Sequence, residues 1–211
     1  MDESTTHLIR WLQGENSRLQ RENKSLREEN EGIRYYVTAL EGLHLAAQEI
    51  ASEDDLLELL DGILCHAMSL VRAEDGSVLL LDEDTDELVF AVVHGDIRGE
   101  LRGYRIGADI GIAGWVAAER EPVIANNARQ DWRFSAQVDD AFGFVTRSLI
   151  CVPMSVSDNL VGVIELLNKH DGEEFSEADV ALLLILGNTA ATALETMRER
   201  IESEEAVAAA S

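Results

Sequence analysis

Leu12, Leu19, Leu26, Ile33 and Leu40 recur at every seventh position. On a helix, a strict seven-residue repeat makes a narrow apolar seam that is kept dry by a second helix supercoiled against it. Taking these residues as position d places Ile9, Asn16, Asn23, Asn30 and Val37 at position a. A buried asparagine at a is satisfied by the same asparagine of a parallel, in-register copy, so it selects a parallel dimer while lowering its stability. Position g holds Glu15, Glu22 and Glu29, and position e holds Gln20, Arg27 and Arg34. Glu22 can therefore face Arg27, and Glu29 can face Arg34, of a second chain. Residues 1–40 are expected to form a homodimeric leucine zipper. A single solvated helix is the alternative, but so narrow a stripe with asparagine inside it would pack poorly on a globular core. Residues 1–8 contain no Arg or Lys, so the basic region of a DNA-binding zipper is missing.

Charge separates this segment from the rest. Residues 1–40 carry seven acidic and six basic side chains, which leaves 34 acids and 11 bases, or −23 of the net −24, for the remainder. So acidic a body, without a basic stripe, repels phosphate backbones and anionic lipid surfaces, so neither nucleic acid nor membrane is expected as a partner. The longest apolar candidate for a span, around Val180 to Leu186, is followed by Gly187 and Asn188, and the N-terminus is unlike a signal peptide. A cytoplasmic location is expected. The two cysteines, Cys65 and Cys151, lie in apolar contexts that suit reduced, buried thiols.

Periodicity after residue 40 predicts a helix from near Ser52 to near Arg72, with Leu56, Leu59, Leu60, Ile63, Leu64 and Met68 on its apolar face. Ser77 to Leu81 and Leu88 to Val93 read as a hairpin around the polar turn Asp82 to Asp86, ended by His94-Gly95. Gly111 to Ala118 reads as a glycine turn feeding a short helix, and Val123 to Ala125 as a short strand. Ser148 to Val156 and Leu160 to Leu167 form a second hairpin with Asp158-Asn159 as its turn. A long helix starts at Ser176, where Asp179 completes a capping pair, and runs to about Glu205. Hairpins in sequence with helices at both ends make an α+β domain over residues 41–205, followed by a short tail, 206–211.

No phosphate-binding loop, nucleophile elbow or kinase signature occurs, and the five histidines are scattered, so no catalytic residue, no metal and no required cofactor are expected. The acidic run Glu83, Asp84, Asp86, Glu87 lacks the spacing of a calcium loop and reads as a solvated turn.

Residues 41–200 resemble a GAF domain, most closely the cyclic-nucleotide-binding kind of phosphodiesterases and adenylyl cyclases. The blocks that carry the resemblance are Gly111-Ile112-Ala113-Gly114, Val138-Asp139-Asp140 with Gly143-Phe144 and Thr146-Arg147, Leu149 to Pro153, and Gly162 to Lys169, followed by Phe175 and Asp179. The resemblance implies a six-stranded antiparallel sheet with the terminal helices on one face and a ligand pocket on the other. It implies a structural motif of Asn168, Lys169, Phe175 and Asp179, in which Lys169 and Asp179 pair beside the pocket; Val180 stands where the motif's final Glu would be. Lys169 is the only lysine after Lys24.

Carried over position by position, the implied pocket residues are Ser77, Ile112, Ala113, Phe142, Thr146 and Glu165. Two positions depart from the cyclic-nucleotide pattern: Ser135 replaces an aromatic group and Phe142 replaces a hydroxyl. Losing one hydrogen bond to a buried ligand atom costs about 1–3 kcal/mol, so the pocket is expected to take a cyclic nucleotide, another purine-like ligand, or none. Glu165 is expected either to meet a polar ligand edge or to turn outward. Two functions follow: a dimeric small-molecule sensor acting through its terminal helices, or a ligand-free dimerisation and docking scaffold that recruits a signalling partner. No output module is visible after Glu205, so the chain acts on a separate partner or is the sensory part of a longer protein.

Overall fold

The structure, a computed structural model, describes residues 53–95 and 101–209 together with Glu15, Asn16, Arg18, Leu19 and Lys24. Met1–Gly42 and Leu43–Ser211 separate into two units. Of the heptad seam, only Asn16 and Leu19 are among the described residues; both are helical and exposed. The rest of the zipper, and Ser52 at the expected start of the next helix, lie outside them.

In the larger unit, helix α1 spans Glu53–Val71. It leads into strands β1 (Ala73–Asp82), β2 (Glu87–His94) and β3 (Arg105–Gly107). Helix α2 (Gly111–Glu119), strand β4 (Val123–Ala125) and helix α3 (Gln137–Phe142) follow. Strands β5 (Leu149–Val156) and β6 (Asn159–Lys169) and helix α4 (Glu177–Ala209) complete it. All strand pairs are antiparallel, in the order β3-β2-β1-β6-β5-β4. Tertiary pairing, not local pattern, makes β3, whose three residues bond to the start of β2; the periodicity did not reveal it, nor α3.

The turn of the β5–β6 hairpin is Ser157-Asp158, because Asn159 already belongs to β6 and Ser157 takes the positive φ of 53°. Helix α4 does not stop at Gly187 and Asn188. The flanking Leu183, Leu186, Ala190 and Ala191 are buried and hold it to the sheet, and it runs on to Ala209. Among the described residues it is also the one helix long and apolar enough to cross a membrane, over Glu177–Ile201, with part of that stretch buried against the sheet.

Side chains alternate across a strand. One face of the sheet presents Val78, Ile150, Val152, Met154, Ile164 and Leu166, all buried, towards α1 and α4. The opposite face presents Leu79, Leu88, Phe90, Leu149, Cys151 and Val163, packed with Ile112, Ala113 and Val116 of α2. That second face carries the cavity.

Candidate ligand pocket

The register of the central strands decides which polar groups enter the cavity. Glu165 of β6 lies opposite Ser77 of β1 on one side and Cys151 of β5 on the other. The three side chains therefore form a row on the α2 face. Ser77 Oγ donates to Glu165 Oε1 at 2.6 Å. Glu165 faces the cavity, the first of the two orientations expected for it. Burial pushes its carboxyl above the usual range, the Ser77 hydrogen bond opposes this, and the charge of Asp139 adds to the rise. Burial, with a smaller contribution from Glu165, pushes the Cys151 thiol well above its ordinary value, so this buried cysteine is inert.

A second polar cluster stands on the loop side. Asp139 of α3 is buried and accepts from Thr146 backbone N–H at 3.0 Å, Thr146 Oγ1 at 2.7 Å and Arg129 at 3.0 Å. The Thr146 hydroxyl proton is thereby committed to Asp139, leaving its oxygen to accept from a ligand. The family pattern includes Asp139 without a role; the structure makes it the anchor of Thr146, because α3 stands beside the start of β5.

Helix α2 supplies the remaining wall. Its N-cap, Ile110, is extended and gives no side-chain cap, and the first intrahelical bond runs from Gly114 N–H to the Ile110 carbonyl at 3.1 Å. The N–H groups of Gly111, Ile112 and Ala113 thus open the helix without a side-chain partner. Gly114 is needed because a Cβ there would stand 2.8 Å from the Ala108 carbonyl oxygen and 2.6 Å from the Asp109 carbonyl carbon.

Ser77, Ile112, Ala113, Thr146 and Glu165 all line one cavity, joined by Ser135, Phe134, Phe144 and His94. Phe142 does not line it. Its ring stands edge-on to Tyr104, centroids 5.0 Å apart, which draws it into the apolar cluster while Phe144 takes a place on the wall. The cavity volume is about 80 Å³.

The Asn168 to Asp179 motif closes the neighbouring corner. Asn168, at φ 55°, accepts from Arg147 N–H at 2.8 Å and donates to Asp75 at 3.2 Å. Phe175 exchanges backbone bonds with the Asn126 side chain at 2.7 and 3.0 Å. Lys169 Nζ reaches Asp179 Oδ2 at 2.6 Å.

The family profile of the GAF domain matches residues 53–195. The chain belongs to the GAF domain family. Over 119 residues this GAF chain is 34% identical to a protein of Caenorhabditis elegans described as a probable 3′,5′-cyclic phosphodiesterase pde-5. That match covers 52% of the chain and 16% of the relative, so the chain spans a small part of the relative's length. Among solved structures it is similar to the GAF domain of a phosphoenolpyruvate-protein phosphotransferase from Coxiella burnetii, with TM-score 0.68 at 16% identity, covering 78% of this chain and 95% of that one. The corresponding Acinetobacter GAF domain gives TM-score 0.65 at 21% identity, covering 80% and 98%. These two likenesses concern the fold. The family profile, with the phosphodiesterase relative, places the chain in a family of sensory and signalling domains.

Proposed function

We propose that this GAF domain senses a purine-like small molecule, cyclic nucleotides included, and passes its occupancy to α1 and α4. One observation carries the reading: an uncapped helix N-terminus and the Ser77–Glu165 pair face the same cavity from different walls. Among the described residues no Arg or Lys lines that cavity, so a ligand phosphate would be held by the N–H groups of Gly111 to Ala113, where backbone donors and the helix dipole favour an anion. A heterocycle edge would meet Glu165, which when protonated offers a donor and an acceptor, and the Thr146 oxygen. A ligand of nucleotide size must widen the cavity by displacing α2 or α3. The sheet beneath is a single layer, with β1 and β6 carrying pocket residues on one face and Val78, Ile164 and Leu166 on the other. Strain on the pocket side is thereby delivered to the packing of the terminal helices.

Dimerisation through residues 1–40, a cytoplasmic location and a separate signalling partner belong to the same proposal. So does the absence of a catalytic role. The small volume favours a second reading, a GAF scaffold whose pocket holds only water. Calorimetry with cyclic AMP, cyclic GMP, adenine and guanine separates the two. The sensor reading expects heat of binding by one of them and loss of at least tenfold in affinity for Thr146→Ala and Glu165→Ala. Binding of none supports the scaffold. Because Phe142 stands off the wall, Phe142→Thr is expected to leave affinity unchanged.

A further inference from the structure

Asp61 and Cys65 are four residues apart on α1, so their side chains share one face of that helix. The end of β2 delivers His94 to the same face. Asp61 Oδ1 lies 2.8 Å from His94 Nε2, and Cys65 Sγ lies 3.4 Å from the same nitrogen. The three ligand-type atoms all fall within 4.8 Å of one another.

A cysteine beside a histidine and an aspartate also describes a nucleophilic relay, but this arrangement is a poor one. In a relay, the carboxylate holds the ring nitrogen opposite the thiol; here both groups crowd onto Nε2. A nucleophilic cysteine also needs a lowered pKa. Partial desolvation and the Asp61 charge instead push the Cys65 thiol up. A plain His94–Asp61 hydrogen bond accounts for two members and leaves the sulfur unexplained.

A divalent cation accounts for all three. Carboxylate, thiolate and imidazole are the donors of Zn²⁺, and bond lengths of about 2.0–2.3 Å set tetrahedral ligand atoms roughly 3.4–3.6 Å apart. The sulfur–nitrogen spacing already matches, and the exposed Asp61 side chain needs to withdraw by only about half an ångström. Glu58, one turn earlier, lines the same surface depression as Asp61 and adds negative charge, while Arg102 at its edge opposes it.

We propose that Asp61, Cys65 and His94 form a three-ligand Zn²⁺ site at the junction of α1 and β2, with a fourth position open to water. Because His94 also lines the ligand cavity, a bound cation would fix the imidazole that forms part of the cavity wall. Metal occupancy then becomes a second input to the same domain.

The test is a Co²⁺ titration of the full, reduced chain in chelator-free buffer, followed by displacement with Zn²⁺. The expected result is one equivalent per chain, with a thiolate-to-cobalt charge-transfer band and the visible absorption of a four-coordinate ion. The chain has two cysteines and Cys151 is buried, so the thiolate band reports Cys65. Cys65→Ser should abolish it, and Cys65→Ser, His94→Gln and Asp61→Asn should each lower Zn²⁺ affinity more than tenfold against a chromophoric chelator. Cys65 is exposed, and circular dichroism of the metal-free variants checks that the fold survives. A cobalt spectrum without the thiolate band, half an equivalent per chain, or Zn²⁺ affinity unchanged in Cys65→Ser would overturn the proposal. None of these outcomes depends on whether the cavity binds a purine.

Discussion

Lys169 Nζ and Asp179 Oδ2 stand 2.6 Å apart, with side chains only 10% and 15% exposed, and tie the end of β6 to the first turn of α4. Asp179 is the hub of this corner. The same oxygen accepts from Ser176 N–H at 2.8 Å and from Ser176 Oγ at 2.9 Å, so one carboxylate serves the ion pair and the helix cap together. Lys169 also lies 5.6 Å from the centre of the Phe175 ring. Low exposure separates this pair from an ordinary surface pair worth little, since removing one partner strands the other away from water.

Asp179→Ala is therefore expected to destabilise the domain by about 2–3 kcal/mol and Lys169→Ala by about 1–2 kcal/mol. Denaturant unfolding of both single variants and the double variant should show coupling above about 0.5 kcal/mol. Additive losses would mean that the two side chains act separately.

Glu165 predicts a pH effect of definite sign. Its carboxyl is raised from 4.5 in the folded domain, chiefly by burial, so the folded state holds this proton more tightly than the unfolded chain does. Stability then falls as pH rises from below the ordinary carboxylate value through the raised one, and the cost is constant above it. Glu165→Gln keeps the shape and removes the titration. The variant should gain stability over the native chain across that window, with the difference fading in acid. Unfolding curves at matched pH values test this; a difference independent of pH would show that Glu165 titrates normally.

Two glycines should respond to alanine with opposite signs. A Cβ on Gly162 would stand against the Leu79 carbonyl oxygen, 3.1 Å from the Leu79 carbonyl carbon and 3.0 Å from Met154 Cε, at the tight pairing of β1 with β6. Backbone cannot retreat there without parting the strands, so Gly162→Ala should cost about 1–3 kcal/mol. Gly62 sits in the middle of α1 with nothing near its missing Cβ. Gly62→Ala should stabilise by about 0.5–1 kcal/mol. Thermal unfolding of the two variants, shifted in opposite directions, is the check.

The elements that carry their own periodicity were legible in the sequence. The apolar face of α1, both hairpins and the Ser176–Asp179 cap could be read from residue spacing. What spacing could not supply was pairing at a distance. Strand β3 exists because Leu88 bonds across to Ile106, and α3 has too few residues to show a period. The same limit governed the site. Ser77, Ile112, Ala113, Thr146 and Glu165 came from the family pattern, and they converge because β1, β6 and α2 converge. Phe142 was misplaced because the pattern carried no information about Tyr104, whose ring holds it. Asp61, Cys65 and His94 were invisible as a group, since His94 meets the other two only after β2 crosses back beside α1.

In the first forty residues, the a positions are expected to set the partner number. In a parallel pair, asparagines at a meet one another across the seam and exclude packings that would leave them unsatisfied. Leu19, described as helical and 52% exposed on the single chain, is then covered by the second copy. Replacing Leu19 and Leu26 with Pro removes backbone donors and breaks the helix at two d positions. The mass in sedimentation equilibrium should fall from dimer towards monomer, with loss of helical circular dichroism. Replacing Asn16, Asn23 and Asn30 together with Ile should do the reverse, raising the melting temperature of the zipper while admitting trimers or tetramers, because β-branched residues at a remove the polar constraint on register and number. A proline variant that keeps both its mass and its helix content would show that the heptads do not mediate assembly. An isoleucine variant that remained strictly dimeric would show that the asparagines do not choose the oligomer.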